Sequence, residues 1–287
     1  SNLSMSFNTN DEENKINYSV RGRGIKYKFI KIGNFSTILA DSSTKVDLKI
    51  IADGCSIGPQ QVNMIDIKSH FYRWKSFTSL SVVDKQSRKN YNIEISSARD
   101  SNNIIMKIPS GQITLNGVKW QLESPDILRV NLRTKTLFPS LTMHSDSSLI
   151  SLVKNEQDEW QDLKLVLNNV MLSSLLKPEL FPRKPRLTIS GLTIYSYNKM
   201  LGSKLTTDLR FSDVSWADLN YKKITSGGYF LSDTTGNFDF EINTSLDTSE
   251  IKIRGKKTDK ANRNINASIK LIPVNTIQPF VTKYLSD

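Results

Sequence analysis

His144 stands in the run MHSDSS with Ser145 and Asp146 beside it, the three side-chain types of a nucleophilic triad. Their adjacency argues against that chemistry, because neighbours on a strand or turn point apart instead of converging on one reacting atom. No G-x-S-x-G elbow and no H-E-x-x-H pair occurs, and the second histidine, His70, stands far from the first in sequence. The single cysteine, Cys55 in DGCSIG, excludes an internal disulfide framework and a cysteine-based zinc site; a small half-buried side chain is the expectation there. RGRG at Arg21–Gly24 is too short to cradle a phosphate and reads as a bent strand. Metal-ligand spacing is missing, although scattered acidic residues could hold calcium weakly. The expectation is a protein that is not an enzyme, with no cofactor and no metal.

A second kind of spacing is everywhere. In FDFEINTSLDTSEIKIRGKK, Phe238, Phe240 and Ile242 alternate with Asp239, Glu241 and Asn243, and Ile251 and Ile253 alternate with Glu250, Lys252 and Arg254. Period-two alternation makes a strand with one apolar and one polar face. Full charges on the polar face forbid packing anything over it. The same pattern recurs at Val46, Leu48 and Ile50, and in ILRVNLR (Leu128, Val130, Leu132) and LKLVLNN (Leu163, Leu165, Leu167). It recurs again in YNIEI, TDLRF and ASIKLI. Asn116-Gly117 between Ile113/Leu115 and Val118/Trp120/Leu122 is a strong hairpin signal. In RLTISGLTIYSY the apolar phase reverses after Ser190-Gly191, which calls for a bulge or tight turn. Asp53-Gly54, Asp100–Asn103, Ser124–Asp126, Ser226–Gly228 and Thr234–Asn237 sit at turn spacing. No segment has the length of a βαβ crossover, so the chain is expected to be all-β.

Two stretches invite a helical reading. SSLISLVKNEQDEW has near-helical spacing but also reads as strand, polar turn and strand, which its neighbours favour. LSSLLKPELF and NTIQPFVTKYL read as short helical turns limited by Pro178 and Pro279. Each follows a strand and a polar break, a loose repeat of ~100 residues that suggests a stacked, quasi-linear architecture. A repeat break is expected near 175–185, within a single elongated unit spanning 1–287.

Composition fits a thin core. Of 287 residues only 38% are apolar, while twelve Phe, nine Tyr and four Trp argue against disorder. The net charge of +11 can mark a phosphate-bearing partner. Its densest clusters, RGRGIKYKFIK and RGKKTDK, are short, carry no nucleic-acid-binding signature, and read as solvated faces. No nucleic-acid partner is expected. No apolar run approaches the ~20 residues of a spanning helix, and no signal-peptide core is present.

With no helices to cover it, such a sheet can close as a barrel, pack as a sandwich, or fold lengthwise into a trough. Roughly sixteen to twenty strands at about 4.8 Å spacing would extend ~80–95 Å as an open ladder. Acyl chains would cover an apolar lining well, at about 0.8 kcal/mol per buried CH₂. Bulky Phe238, Phe240, Trp120 and Phe211 could equally fill a core.

LKLVLNNVMLSSLL and ASIKLIPVNTIQPFVTKYLSD resemble the repeat of the TamB family, in the AsmA-like group of bacterial envelope proteins, where a strand and break precede a Leu/Pro-rich turn. SGQITLNGVKWQLESPDILRV, FSDVSWADLNYKKI and GGYFLSDTTGNFDFEI are similar to it in style, and the likeness runs from about Val46 onward. The resemblance implies a fragment of a longer protein folded as an elongated, lengthwise-folded β-sheet, a β-taco or repeating β-groove with an apolar interior. It implies a Gram-negative periplasm, a parent anchored in the inner membrane, and an outer-membrane Omp85-type barrel as partner. The implied role is bridge-like transfer of phospholipid between inner and outer membranes, as part of outer membrane biogenesis. Acyl chains would then contact Leu163, Leu165, Leu167, Phe238, Phe240, Ile242, Ile251 and Ile253. A scaffold or chaperone that assembles outer-membrane proteins by β-strand augmentation, or a filled β-solenoid or sandwich adhesin, uses the same strands.

Overall fold

The computed structural model describes residues 2–10, 15–28, 30–42, 44–57, 60–157, 160–176, 185–216, 219–246, 249–258 and 263–270. Among the described residues the regular structure is twenty strands and one short 3-10 turn, Leu172–Ser174, and every described strand pairing is antiparallel. The protein is therefore all-β, as the alternation requires. Its contacts divide it into two units, Ser1–Ser145 with Ser174–Pro182, and Asp146–Ser173 with Arg183–Asp287.

The first unit opens with seven long strands: β1 (Asn2–Asn10), β2 (Lys15–Tyr27), β3 (Ile30–Asp41), β4 (Lys45–Ile57), β5 (Gln60–Tyr72), β6 (Lys75–Asp84) and β7 (Lys89–Asp100). Each pairs with the next. Five shorter strands follow: β8 (Asn103–Lys107), β9 (Gln112–Leu115), β10 (Val118–Leu122), β11 (Asp126–Asn131) and β12 (Thr136–Ser145). Here the meander branches. β8 pairs with β7 and β11, β9 with β10, and both β10 and β11 pair with β12. The β9–β10 hairpin closes through Asn116 (φ 47°) and Gly117 (φ 81°), the two positive φ values that a two-residue primed turn needs.

The second unit is a plain meander of β13 (Ser148–Gln157), β14 (Trp160–Met171), β15 (Arg186–Asn198), β16 (Gly202–Trp216), β17 (Leu219–Ser232), β18 (Phe238–Leu246), β19 (Ser249–Lys257) and β20 (Arg263–Lys270). Each pairs with its successor. SSLISLVKNEQDEW is thus strand–turn–strand, and LSS begins a helical turn, both as the sequence suggests. The expected repeat break near 175–185, the Pro178 stop and the NTIQPFVTKYL turn fall wholly or largely outside the described residues.

Four local expectations change. Asp53-Gly54 lies within β4, and Ser226–Gly228 lies mid-strand in β17, so neither is a turn. A Cβ built on Gly228 would lie 2.2 Å from the Glu241 carbonyl oxygen; that glycine is there to let β17 and β18 approach. The bulge expected at Ser190-Gly191 sits on the partner strand instead. Leu167 opposes Gly191 and Val170 opposes Ile189, leaving Asn168 and Asn169 against Ser190, with Asn169 at φ 51° and its N–H donating to Ser190 Oγ at 2.8 Å. Cys55 is buried, not half-buried, and that burial raises the pKa of its thiol.

Candidate functional site

Residues directly opposite in an antiparallel ladder share a face, so the register decides where each alternating set ends up. In the second unit, Leu165 of β14 opposes Thr193, which opposes Thr207, then Gly228, Ile242, Ile253 and Ala267. A second row runs Leu163, Tyr195, Leu205, Phe230, Phe240, Gly255 and Ile265, and a third joins Leu167 to Ile251 through Gly191, Leu209, Ser226 and Thr244. Phe238 lies two residues from Phe240 on the same side. All eight residues expected to line an apolar surface therefore share one face of one unit. Strand spacing makes that face roughly 34 Å wide from β13 to β20.

The face is not sealed by its own side chains. Leu163, Leu165, Phe238, Phe240, Ile251 and Ile253 are half-buried, while Phe230 is 39% and Ile242 44% exposed. Apolar side chains left part-exposed together on one face make it a candidate binding surface. Two hydroxyl pairs on it bond across the strands: those of Thr193 and Thr207 lie 3.1 Å apart and those of Ser226 and Thr244 3.2 Å apart. Phe240 lies over Gly255, where a Cβ would come within 2.2 Å of the ring, so the aromatic covers backbone that glycine leaves bare. Sequence reading missed Tyr195, Leu205 and Phe230. Leu205, Thr207, Leu209 and Phe211 alternate plainly enough to have been included, whereas the Gly227-Gly228 pair hid the strand that carries Phe230.

The reverse face carries charge. Glu241 is ion-paired to Arg254 and to Lys252 (2.9 Å), and Asp239 accepts from Tyr229 Oη at 3.2 Å. Hydrogen bonds from Arg254, Asn243 and Lys252 hold the Glu241 pKa down to about 2. The polar flank of FDFEI is thus a cross-strand ion-pair lattice with the opposite flank of EIKIRGKK.

The first unit repeats the division. Val20, Thr37, Ile50, Ile67, Leu80 and Ile93 form one row across β2 to β7. Phe35 lies over Gly22 as Phe240 lies over Gly255. Hydroxyl pairs Ser69–Thr78 (3.0 Å) and Ser76–Ser97 (2.7 Å) recur on this face. On the reverse, Asp47 takes hydrogen bonds from Lys45 and His70, which lower its pKa, and Asp66 pairs with Lys68 at 2.8 Å. Burial grades along the apolar face. Towards β9–β12 it is filled, with Trp120 completely buried among Ile113, Leu122 and Met143, and Tyr91 Oη donates to the Leu175 carbonyl at 3.4 Å. At β1 it is open, with Leu3, Met5 and Phe7 60%, 62% and 67% exposed.

His144 is exposed on β12 and sits opposite Gln121. Among the described residues no cluster of three metal-ligating side chains occurs, and no helix is long and apolar enough to cross a membrane. No known protein family, curated protein or solved structure matches the chain.

Proposed function

We propose that the chain is a binding module and conduit for phospholipid acyl chains, which lie against the apolar faces of its sheets. The observation that carries this is the register of β14–β20, which gathers eight alternating apolar residues on one part-exposed face. A width of roughly 34 Å compares with the ~30 Å hydrocarbon thickness of a bilayer, room for acyl tails laid along it. Two hydroxyl pairs there are hydrogen-bonded across the strands, which lowers the cost of laying hydrocarbon over them. The likeness to TamB-type repeats adds a setting to this reading: a periplasmic segment of a longer inner-membrane protein, carrying phospholipid towards the outer membrane.

The test is site-specific photocrosslinking in cells, followed by mass spectrometry of the adducts. Probes at Leu165 and Phe240 are expected to capture phospholipid, and probes at Lys164 and Asp239, on the charged face, are not. Equal lipid capture on both faces, or none on either, overturns the reading. Strand β1 favours one competing role. It carries no charged residue along SNLSMSFNTN, exposes Leu3, Met5 and Phe7, and among the described residues pairs only with β2, an edge that invites augmentation by another strand. A scaffold for outer-membrane proteins would yield protein adducts at Ser4 and Ser6 of β1 in place of lipid at Phe240.

A further inference from the structure

One end of the first unit is built differently from its faces. Strands β5, β6, β7, β8, β11 and β12 are consecutive neighbours, so the β5–β6, β7–β8 and β11–β12 turns emerge side by side along one rim. Backbone hydrogen bonds tie them together: Arg99 N–H donates to the Trp74 carbonyl at 3.0 Å, and Leu132 N–H to the Asn102 carbonyl at 2.7 Å. Across about 24 Å of rim, set by five strand spacings, the three turns carry Arg73, Lys75, Arg99, Arg133 and Lys135 against the single acid Asp100. All five cations are exposed.

Aromatic side chains stand among these charges. Trp74, at the tip of the β5–β6 turn, is 69% exposed, and the Arg99 guanidinium lies 4.7 Å from the centre of its ring. Arg99 is itself fixed by donating from Nε to the Ser101 carbonyl at 3.1 Å. Tyr72, at the end of β5, is exposed with Arg73 over its ring at 5.4 Å, and Leu137 is also exposed. The β6–β7 turn at the opposite end has Lys85, Arg88 and Lys89 but no aromatic residue, and its Arg88 is spent on Asp84 at 2.9 Å.

We propose that this rim is a docking surface for an anionic phospholipid bilayer. Tryptophan and tyrosine settle at the headgroup level because one part of the ring is apolar and the other wet, and basic residues beside them meet lipid phosphate. A single-stranded nucleic acid is the competing polyanion, since bases also stack on aromatics. Arg99 already occupies a face of the Trp74 ring, and exposed Leu132 and Leu137 offer area that hydrocarbon covers and a sugar-phosphate backbone does not. The rim does not depend on the acyl-chain reading, because its turns can hold a membrane surface whatever lies against the sheet.

The test is flotation of the whole chain with vesicles of phosphatidylcholine alone or with one third phosphatidylglycerol. Binding is expected only to the anionic vesicles and is expected to fall steeply at high salt. Each surface charge removed should weaken partitioning about fivefold, so Arg73→Glu with Arg133→Glu and Lys135→Glu should weaken it by on the order of a hundredfold or more. Lys85→Glu with Lys89→Glu, at the other end, should change it far less. Brominated lipids should quench tryptophan fluorescence of the unaltered chain and lose that part of the effect in Trp74→Phe, a readout independent of how the charge variants fold. Equal binding to neutral vesicles, unchanged partitioning of the rim variant, absence of quenching, or displacement of vesicles by an oligonucleotide each overturns the proposal. A Phe240→Arg variant that floats normally but no longer captures lipid at Leu165 would separate this surface from the acyl-binding face.

Discussion

The Phe240–Gly255 contact makes a prediction whose sign depends on context. Phe240 and Gly255 are directly opposite, Gly255 is buried, and a Cβ added there would lie 2.2 Å from Cε1 of the ring. In the unaltered chain Gly255→Ala must push the ring off its rotamer, which costs about 0.5–1.5 kcal/mol, and forfeits about 0.5 kcal/mol of its packing contacts. Against that stands about 0.5–1 kcal/mol regained because alanine loses less backbone entropy on folding, so the net is a loss of roughly 0.5–1 kcal/mol. Phe240→Ala alone removes a half-buried ring and bares the glycine backbone. A fully buried Phe→Ala change costs ~3–5 kcal/mol, so about half, ~2 kcal/mol, is expected here. With the ring gone, Gly255→Ala should become stabilising by about 0.5–1 kcal/mol. The coupling between the two positions is then about 1–2 kcal/mol, well above the ~0.3–0.5 kcal/mol scatter of independent sites. Urea unfolding of the four proteins, followed by circular dichroism, measures it. If Gly255→Ala shifts stability equally with and without Phe240, the ring does not cover that backbone and the account of the apolar face is wrong at its best-defined point.

Two other outcomes follow from the same second unit. Glu241 releases its proton more readily folded than unfolded, with a folded pKa of about 2 against an ordinary 4.5. Its contribution is therefore complete above about pH 4.5 and is lost as pH falls towards about 2. Melting temperatures of the unaltered chain and of Glu241→Gln should converge through that window, and a constant gap across it would refute the ion-pair lattice. Gly228→Ala should destabilise by at least ~2 kcal/mol, since the new methyl meets the Glu241 carbonyl instead of a movable side chain. Gly227→Ala, whose Cβ would sit 3.4 Å from the nearest atom, should cost far less in the same denaturation assay.

How much of this could be read in advance depends on the range of the forces involved. Alternation is a property of adjacent residues, so the strands carrying Leu163–Leu167, Phe238–Ile242 and Ile251–Ile253 were legible, as was the Asn116-Gly117 hairpin. Glycine misled because its permissiveness has two uses. Thr234–Asn237 makes a turn, while Ser226–Gly228 marks a close approach between strands. Only the second strand's carbonyl, that of Glu241, distinguishes the two, and it lies well beyond Gly228 in the chain.

Sequence alone determined that the chain would be strands, that each would have an oily and a charged side, and which residues lie on which. That information is local, written in the two-residue period of an extended backbone. Whether the oily sides of β14, β18 and β19 would meet depended on register, and register on the Asn168–Asn169 bulge, which keeps Leu167 and Val170 in phase across β15. Tertiary structure likewise decided that Trp120 is packed over while Phe230 and Ile242 stay open. Identical alternation leads to both outcomes, because burial depends on what lies above a face and no strand encodes its own cover.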